Sequence, residues 1–422
     1  MSSTITEGAR PDDARRHNRG AVLRRLHLDG PCTRAVLATE FGLNRSTIKA
    51  VVDGLADTGL VSERLPSRRS GAGRPSLLVV PNPQAALVLA TDIRVDRVAM
   101  ALFGLGGEIL GRLSWRLRPG SASPRDVITR VLESAVVLAS ELSLPVVAAG
   151  VSIPGVVRQS DGLVREAPHL RWVDVPLGEQ LSAGLQMPVT VANDAELGAL
   201  AELTRGVARG VSDVVFVAGD IGVGGGVISS GKAMRGAGGY LGELGHMVVR
   251  PDGLECHCGC QGCWETEVGA AALCRALGLP LAIGRGELHA ELRELADDPP
   301  TALARLSDYV GWLGLGLVNV VNLLAPQVVV LGDLFAALPE PALQVVATRV
   351  RERSVVSRAV GHTLVVRSAL GRDAHLIGAA EAAFSPVLDS AAGERSAGVG
   401  TLALGQSFLG TSTAATLRRN AA

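Results

Sequence analysis

Apolar residues recur at helical spacing three times near the start of the chain. His17–Leu28 carries Val22, Leu23, Leu26 and Leu28 on one side. Gly30-Pro31 breaks that run, Thr33 caps a second helix over Arg34–Phe41, and Gly42 closes it. Asn44 caps a third helix, Arg45–Thr58, in which Ile48, Val51, Val52 and Leu55 repeat at i, i+3, i+4 and i+7 and Ala50 also turns inward. Leu60-Val61 and Leu77–Val80 read as two strands around a basic Gly/Pro-rich loop, ERLPSRRSGAGRPS. The pattern predicts helix, helix, turn and helix, then a β-hairpin wing. After Pro81-Asn82-Pro83 the period changes. Ala86–Asp92, Val95–Phe103 and Ile109–Leu117 read as successive strands, a helix runs from Ser123 or Pro124 to about Leu142, and Pro145–Val151 is a further strand. A similar order returns at Asp213–Gly219 and Gly222–Ser229, so the pattern predicts a duplicated α/β fold. The longest uncharged stretch, Tyr309–Gly332, is divided by Pro326 into a buried helix and a buried strand, not a membrane span.

Charge changes the picture only when the chain is divided. Of 422 residues, 41 are Lys or Arg and 41 are Asp or Glu, a net charge of zero. Residues 1–80 hold 13 basic and 8 acidic side chains, a net of +5, and the remainder is therefore −5. Such asymmetry marks a nucleic-acid module. The polar N-terminus has no apolar signal segment, which predicts a cytoplasmic protein.

In a helix-turn-helix the third helix enters the major groove with its first turn near base edges. That turn is Arg45, Ser46 and Thr47, with Lys49 following, and the wing supplies Arg68, Arg69 and Arg74. Four of six cysteines crowd into Cys256-His257-Cys258-Gly259-Cys260-Gln261-Gly262-Cys263, with His246 upstream. One His and three of these Cys would close a structural zinc site. Asn193-Asp194 follows the apolar strand PVTVA, where Asp194 either accepts a proton from a substrate hydroxyl or caps a helix. Glu243, His246 and Glu265, gathered by the metal loop, suit a hydroxyl-rich ligand. The run Gly222–Gly226 is a weak candidate phosphate cradle.

These residues resemble the ROK family (repressors, open reading frames and sugar kinases) from about residue 15 to 385. The motifs are GELGH at Gly242–His246, CHCGCQGCWE at Cys256–Glu265, Ile153-Pro154-Gly155, VANDAELGALAE, VNLLAPQVVVLGD and ALGRDAHLIGAA. The resemblance implies a two-lobed actin-like, ribonuclease-H-type duplicated α/β fold. It implies His246, Cys256, Cys258 and Cys263 as zinc ligands, with Cys260 an extra thiol. It implies Asn193, Asp194, Glu243, His246 and Glu265 as sugar contacts, Asp194 being the base in kinase members. The chain departs from kinase members at Asp92-Ile93-Arg94-Val95-Asp96, where the phosphate loop has lost its Gly and Thr, and at Asp220-Ile221-Gly222, where an acidic side chain would repel phosphate. His169 stands where many members have Asn.

The resulting expectation is a flexible segment 1–14, a winged helix-turn-helix at 15–80, a two-lobed ROK domain at 85–385 and a mobile tail at 386–422. The function expected is a sugar-responsive transcriptional regulator, a repressor and not an enzyme. It holds structural zinc but not ATP or Mg2+, and binds a palindromic DNA operator as a dimer or tetramer. The competing readings are an ATP-dependent kinase of a hexose or N-acetylhexosamine with an added DNA module, and a large domain that answers to a protein partner.

Overall fold

A computed structural model describes residues 11–66, 76–118, 123–142 and 144–390. Its first unit comprises α1 (Pro11–Asp29), β1 (Cys32–Thr33), α2 (Arg34–Glu40), α3 (Arg45–Asp57), β2 (Val61–Arg64) and β3 (Leu78–Pro81). The caps act as the sequence predicts. Thr33 Oγ1 accepts from Val36 N–H, and Asn44 Oδ1 accepts from Thr47 N–H. Ile48, Val51, Val52 and Leu55 are buried, so the apolar stripe of α3 faces α1 and α2. The first helix begins at Pro11, inside the segment expected to be flexible, and Ala50 is exposed rather than inward. The three strands pair in the order β1-β3-β2, all antiparallel. The loop bearing Arg68, Arg69 and Arg74 lies outside the described residues.

Two lobes follow. The first holds β4 (Leu87–Ile93), β5 (Arg97–Gly104), β6 (Ile109–Arg116), α4 (Pro124–Leu142), β7 (Val146–Ile153), β8 (Val156–Arg158), β9 (Leu163–Ala167), β10 (Trp172–Val175), α5 (Leu177–Leu185), β11 (Val189–Asn193) and α6 (Asp194–Thr204). The second holds β12 (Val214–Gly219), β13 (Val223–Ser229), β14 (Lys232–Ala233), α7 (Trp264–Val268), α8 (Ala270–Ala276), α9 (Arg285–Ala296) and α10 (Pro299–Leu324). It continues through β15 (Val328–Gly332), α11 (Asp333–Ala336), α12 (Glu340–Arg353), α13 (Val355–Ala359), β16 (Leu364–Arg367) and α14 (Ala374–Ser390).

The duplication is visible in the sheets. One runs β6-β5-β4-β7-β11 and the other β14-β13-β12-β15-β16. In each, an antiparallel three-stranded meander is extended by two parallel strands. Parallel central strands are covered on both faces, which is why β4 and β12 are buried along their whole length. The uncharged stretch at 309–332 is the end of α10 and then β15, and no helix among the described residues is long and apolar enough to cross a membrane. The last helix continues to Ser390 with Pro386 inside it, so the expected tail at 386–422 begins as helix. The rest of that tail, 391–422, lies outside the described residues.

Helices α6 and α14 lie side by side and join the lobes to the first unit. They approach so closely that a Cβ on Gly378 would sit 1.9 Å from the Leu197 carbonyl oxygen, so no larger residue fits there. The side chains of α14 complete a core that runs without a break from Leu23 and Leu26 of α1 to Phe384 and Leu388.

Candidate functional site

Asn193 ends β11 and caps α6. Its Oδ1 accepts from the Ala195 and Glu196 N–H groups, and its Nδ2 donates to the Gly155 carbonyl at 2.9 Å. The cap role offered to Asp194 therefore belongs to its neighbour. Asp194 is the first helical residue, its Oδ1 accepts from Ala195 N–H, and burial raises its carboxyl above the usual range, against the pull of His375 and Arg94. Asp194 is thus half-buried at the mouth of a helix, free of the capping duty.

Across the cleft, the turn holding Gly242–His246 packs on β13. The Gly222–Gly226 run is part of that packing. A Cβ on Gly226 would meet the Ala195 carbonyl oxygen at 2.2 Å, so Gly226 forms a close seat for α6. His246 Nδ1 lies 3.7 Å from Cys256 Sγ, and Cys258 Sγ lies 3.6 Å from Cys263 Sγ. The four ligand atoms fall within 4.8 Å of one another and can hold a metal ion. Sulfurs about 2.3 Å from a tetrahedral ion stand about 3.8 Å apart, so three thiolates and an imidazole at this spacing fit zinc. Cys260 is exposed outside the cluster, while Cys32 and Cys274 are buried elsewhere.

With Nδ1 turned to the cysteines, His246 Nε2 faces Glu243 at 3.7 Å. Glu265, on α7, is fixed at both oxygens. Its Oε2 accepts from Val223 N–H at 2.9 Å, and its Oε1 lies 3.0 Å from His257 Nδ1. His169 stands beside His257, with ring centroids 5.2 Å apart, and burial lowers its pKa. Sequence reasoning flagged His169 only as a departure from the family and gave His257 no role. Their meeting depends on the β9–β10 turn and the cysteine loop, which are distant in sequence.

On the far side of the cleft Arg94 fills the place between the two Asp-bearing hairpins. Its side chain is 7% exposed. Nε donates to Asp92 at 2.8 Å, Nη1 donates to Asp333 at 2.9 Å, and Nη2 lies 2.7 Å from His375 Nδ1. Asp220 is 3.5 Å from the same guanidinium. Asp333 adopts φ +50°, a left-handed conformation that aims its carboxylate into this group. Asp220, whose charge alone would repel a phosphate, is thus paired with Arg285 and lies beside Arg94. A cavity of about 790 Å3 opens beside it, lined by Arg97, Arg116, Arg285, His289 and Arg372 among others.

Burial pushes the Asp220 carboxyl from 3.8 up to about 6, Arg285 and Arg94 opposing and Asp333 adding to the effect. A carboxyl raised in the folded state contributes stability that is full below its unfolded pKa and is lost as pH rises through the folded one. Asp220→Asn cannot ionise. The unfolding free energy of the wild type minus that of Asp220→Asn, followed by urea titration from pH 3.8 to 7, is expected to fall with rising pH. A difference that stays constant across that window contradicts the assignment.

In the first unit, Arg45 and Ser46 are exposed at the start of α3 and Thr47 is half-buried. Ser46 donates to Asn44 Oδ1, and the Lys49 ammonium bonds Asp53 at 2.6 Å, so both are internally engaged, while Arg45 is exposed with no side-chain hydrogen bond or ion pair among the described residues.

A family model described as "ROK family" matches residues 88–385. The xylose repressor of Bacillus spizizenii is 27% identical over 88% of this chain and 96% of its own length. A solved ROK family transcriptional regulator, a homologue of the Escherichia coli Mlc protein, superposes with a TM-score of 0.69 at 25% identity, over 90% of this chain and 96% of that one. A ROK family glucokinase from Streptomyces griseus, solved with glucose and AMPPNP, gives 0.62 at 29% identity, over 70% of this chain and 99% of its own.

Proposed function

Because the chain belongs to the ROK family, we propose that it is a sugar-responsive transcriptional repressor whose kinase-like cleft senses its effector without phosphorylating it. The observation that carries this reading is Arg94. Its guanidinium, held by Asp92 and Asp333, takes the space in which a phosphate would meet the hairpin turns, while the hydroxyl-binding side of the cleft keeps Asn193, Asp194, Glu243, His246 and Glu265. Coverage supports it too: the regulator relative spans 90% of the chain, and the glucokinase relative spans 70%.

The residues divide the work as follows. His246, Cys256, Cys258 and Cys263 would hold zinc, which when bound cross-links the turn at 242–246 to the loop leading into α7. That loop sets Glu265 and His246 at fixed positions. Asp194, Glu243 and Glu265 accept hydrogen bonds from sugar hydroxyls. Asn193 orients α6 through its cap, so its part in sugar binding is through the carbonyl and amide geometry it imposes. The first unit is a winged helix-turn-helix: α3 enters the major groove, Arg45 bonds a base, Ser46, Thr47 and Lys49 approach the backbone, and Arg68, Arg69 and Arg74 of the wing reach the adjacent groove. Two copies read a palindromic operator as a homo-oligomer.

The effector signal has a physical route. Helix α6 starts at Asp194 in the cleft and ends at Arg205, whose Nε donates to Glu381 at 2.8 Å and whose Nη1 donates to the Leu28 carbonyl of α1. Helix α14 carries His375, against Arg94, near one end, and toward the other Glu381 and Asp389, which pair with His27 and Arg24 of α1. A change in lobe closure therefore moves both helices under the DNA-binding unit, and the effector acts through its different affinity for the two arrangements.

Arg45→Ala is expected to weaken operator binding by about 1–3 kcal/mol and to relax sequence preference at one base position. Fluorescence anisotropy against the operator and single-base variants checks this, and an unchanged affinity rules out a base contact by Arg45. The second reading, an active sugar kinase, is favoured by Asp194, whose carboxyl keeps a position suited to a general base. Steady ATP turnover with any hexose or N-acetylhexosamine, lost in Asp194→Asn, establishes that reading instead.

A further inference from the structure

We propose a second divalent-cation site in this chain, formed by His169, His257 and Glu265 and adjoining the Cys3His cluster at Cys256, whose Sγ lies 3.8 Å from His257 Nδ1 and 3.9 Å from Glu265 Oε1. One ligand atom from each of the three side chains lies within 4.8 Å of the others, and His257 Nδ1 is 3.0 Å from Glu265 Oε1, a direct contact that a bound ion would replace. Two imidazoles and one carboxylate form a donor set that holds zinc-like ions with coordination positions left open.

The arrangement is prepared rather than accidental. Val223 N–H holds Glu265 Oε2 at 2.9 Å and so presents Oε1 to the imidazoles. Gly222 leaves room for the group: a Cβ there would stand 2.3 Å from Glu265 Oε2 and 3.3 Å from His169 Nε2. His169 is placed by a short 3-10 turn, Pro168–Leu170, that ends in a left-handed Arg171. His257 comes from the cysteine loop and Glu265 from α7, so the three ligands arise from three separate segments.

Electrostatics favours a cation over an anion here. Three thiolates outweigh the charge of one divalent ion, so the loaded Cys3His centre is net negative, and Glu265 and Glu243 add to it. A second cation held by the two imidazoles offsets that charge. Three protein ligands leave positions for water or for the vicinal hydroxyls of a bound polyol, which would make effector affinity depend on the metal. The site itself does not require the repressor reading to hold.

The test is a titration of the full-length zinc-loaded protein with Co2+, followed by elemental analysis and by absorption. The expected result is one further equivalent of bound Co2+, with zinc retained and no thiolate-to-cobalt charge-transfer band. His169→Ala and His257→Ala should each weaken that binding about tenfold or more while keeping zinc and the folded spectrum. Absence of a further equivalent at millimolar Co2+, a thiolate band, or a second equivalent that survives in the double variant overturns the proposal. Sugar and DNA are absent from this experiment, so its failure is distinct from failure of the repressor reading.

Discussion

Glu381→Ala is expected to destabilise the protein by about 3–5 kcal/mol and to disconnect effector from DNA. Glu381 is 5% exposed at the side chain and binds His27 Nε2 at 3.1 Å and Arg205 Nε at 2.8 Å. Burial alone would raise its pKa, but His27 and Arg205 more than offset this and leave it lowered. Removing the carboxylate takes the charged partner from the Arg205 guanidinium and the Nε2 partner from a fully buried imidazole, which is more costly than never having built the group. The polar joint also ties α1 to α6 and α14. Gly106 N–H donates to His27 Nδ1 at 2.9 Å, and Arg205 Nη1 also donates to the Gly106 carbonyl, so the first lobe shares in it. In the variant, sugar should still bind the cleft, read by calorimetry, while its effect on operator affinity shrinks. Denaturant unfolding supplies the stability half of the prediction. Intact stability together with an intact effector response would remove the joint from the account.

Cys263→Ser is expected to cost on the order of 4 kcal/mol, the scale of losing a structural metal, and to abolish the sugar response. Cys263 is fully buried, caps α7 and stands 3.6 Å from Cys258 Sγ. The helix that follows anchors the cleft to the second lobe: Trp264 is fully buried and donates from Nε1 to the Trp312 carbonyl at 3.0 Å. Without the metal, the turn at 242–246 and the start of α7 lose their common tether, and Glu265 and His246 lose their shared position. Operator binding without effector should persist, because α1–α3 share their core with the first lobe and α14, whereas Trp264 and the rest of α7 pack in the core of the second lobe. Cys260→Ser is the control, since Cys260 is exposed and outside the ligand group, and it should change neither stability nor response. Equal effects from the two substitutions would contradict the ligand assignment.

Most of the fold was legible in the sequence because apolar spacing and caps are local signals. Thr33, Asn44 and the stripe of α3 fixed the first unit, and the two Asp-bearing hairpins announced the duplication. The charge asymmetry pointed to DNA once the chain was divided. The metal cluster was legible because its thiols lie within a few residues. Other features need the third dimension. The start of α1 is hidden in a polar, charged stretch with little apolar periodicity. Arg94 reads as the loss of a phosphate loop, but its partners Asp333 and His375 are more than two hundred residues away in sequence. The balance of Asp220 by Arg285 is equally remote, which is why its charge alone suggested simple repulsion. His27, an ordinary residue in a basic helix by sequence, becomes the buried hub of the interdomain joint only when α14 is laid against it.

The central claim is that a sugar in the cleft changes DNA affinity without being phosphorylated. The most direct measurement is operator binding by the full-length protein, using DNA fragments enriched by that protein, with and without each member of a sugar panel and ATP. At least one sugar is expected to shift operator affinity about tenfold, a coupling of about 1.4 kcal/mol, with no phosphorylated product. An operator affinity indifferent to every sugar, together with ATP-dependent phosphorylation of one of them, would contradict that claim.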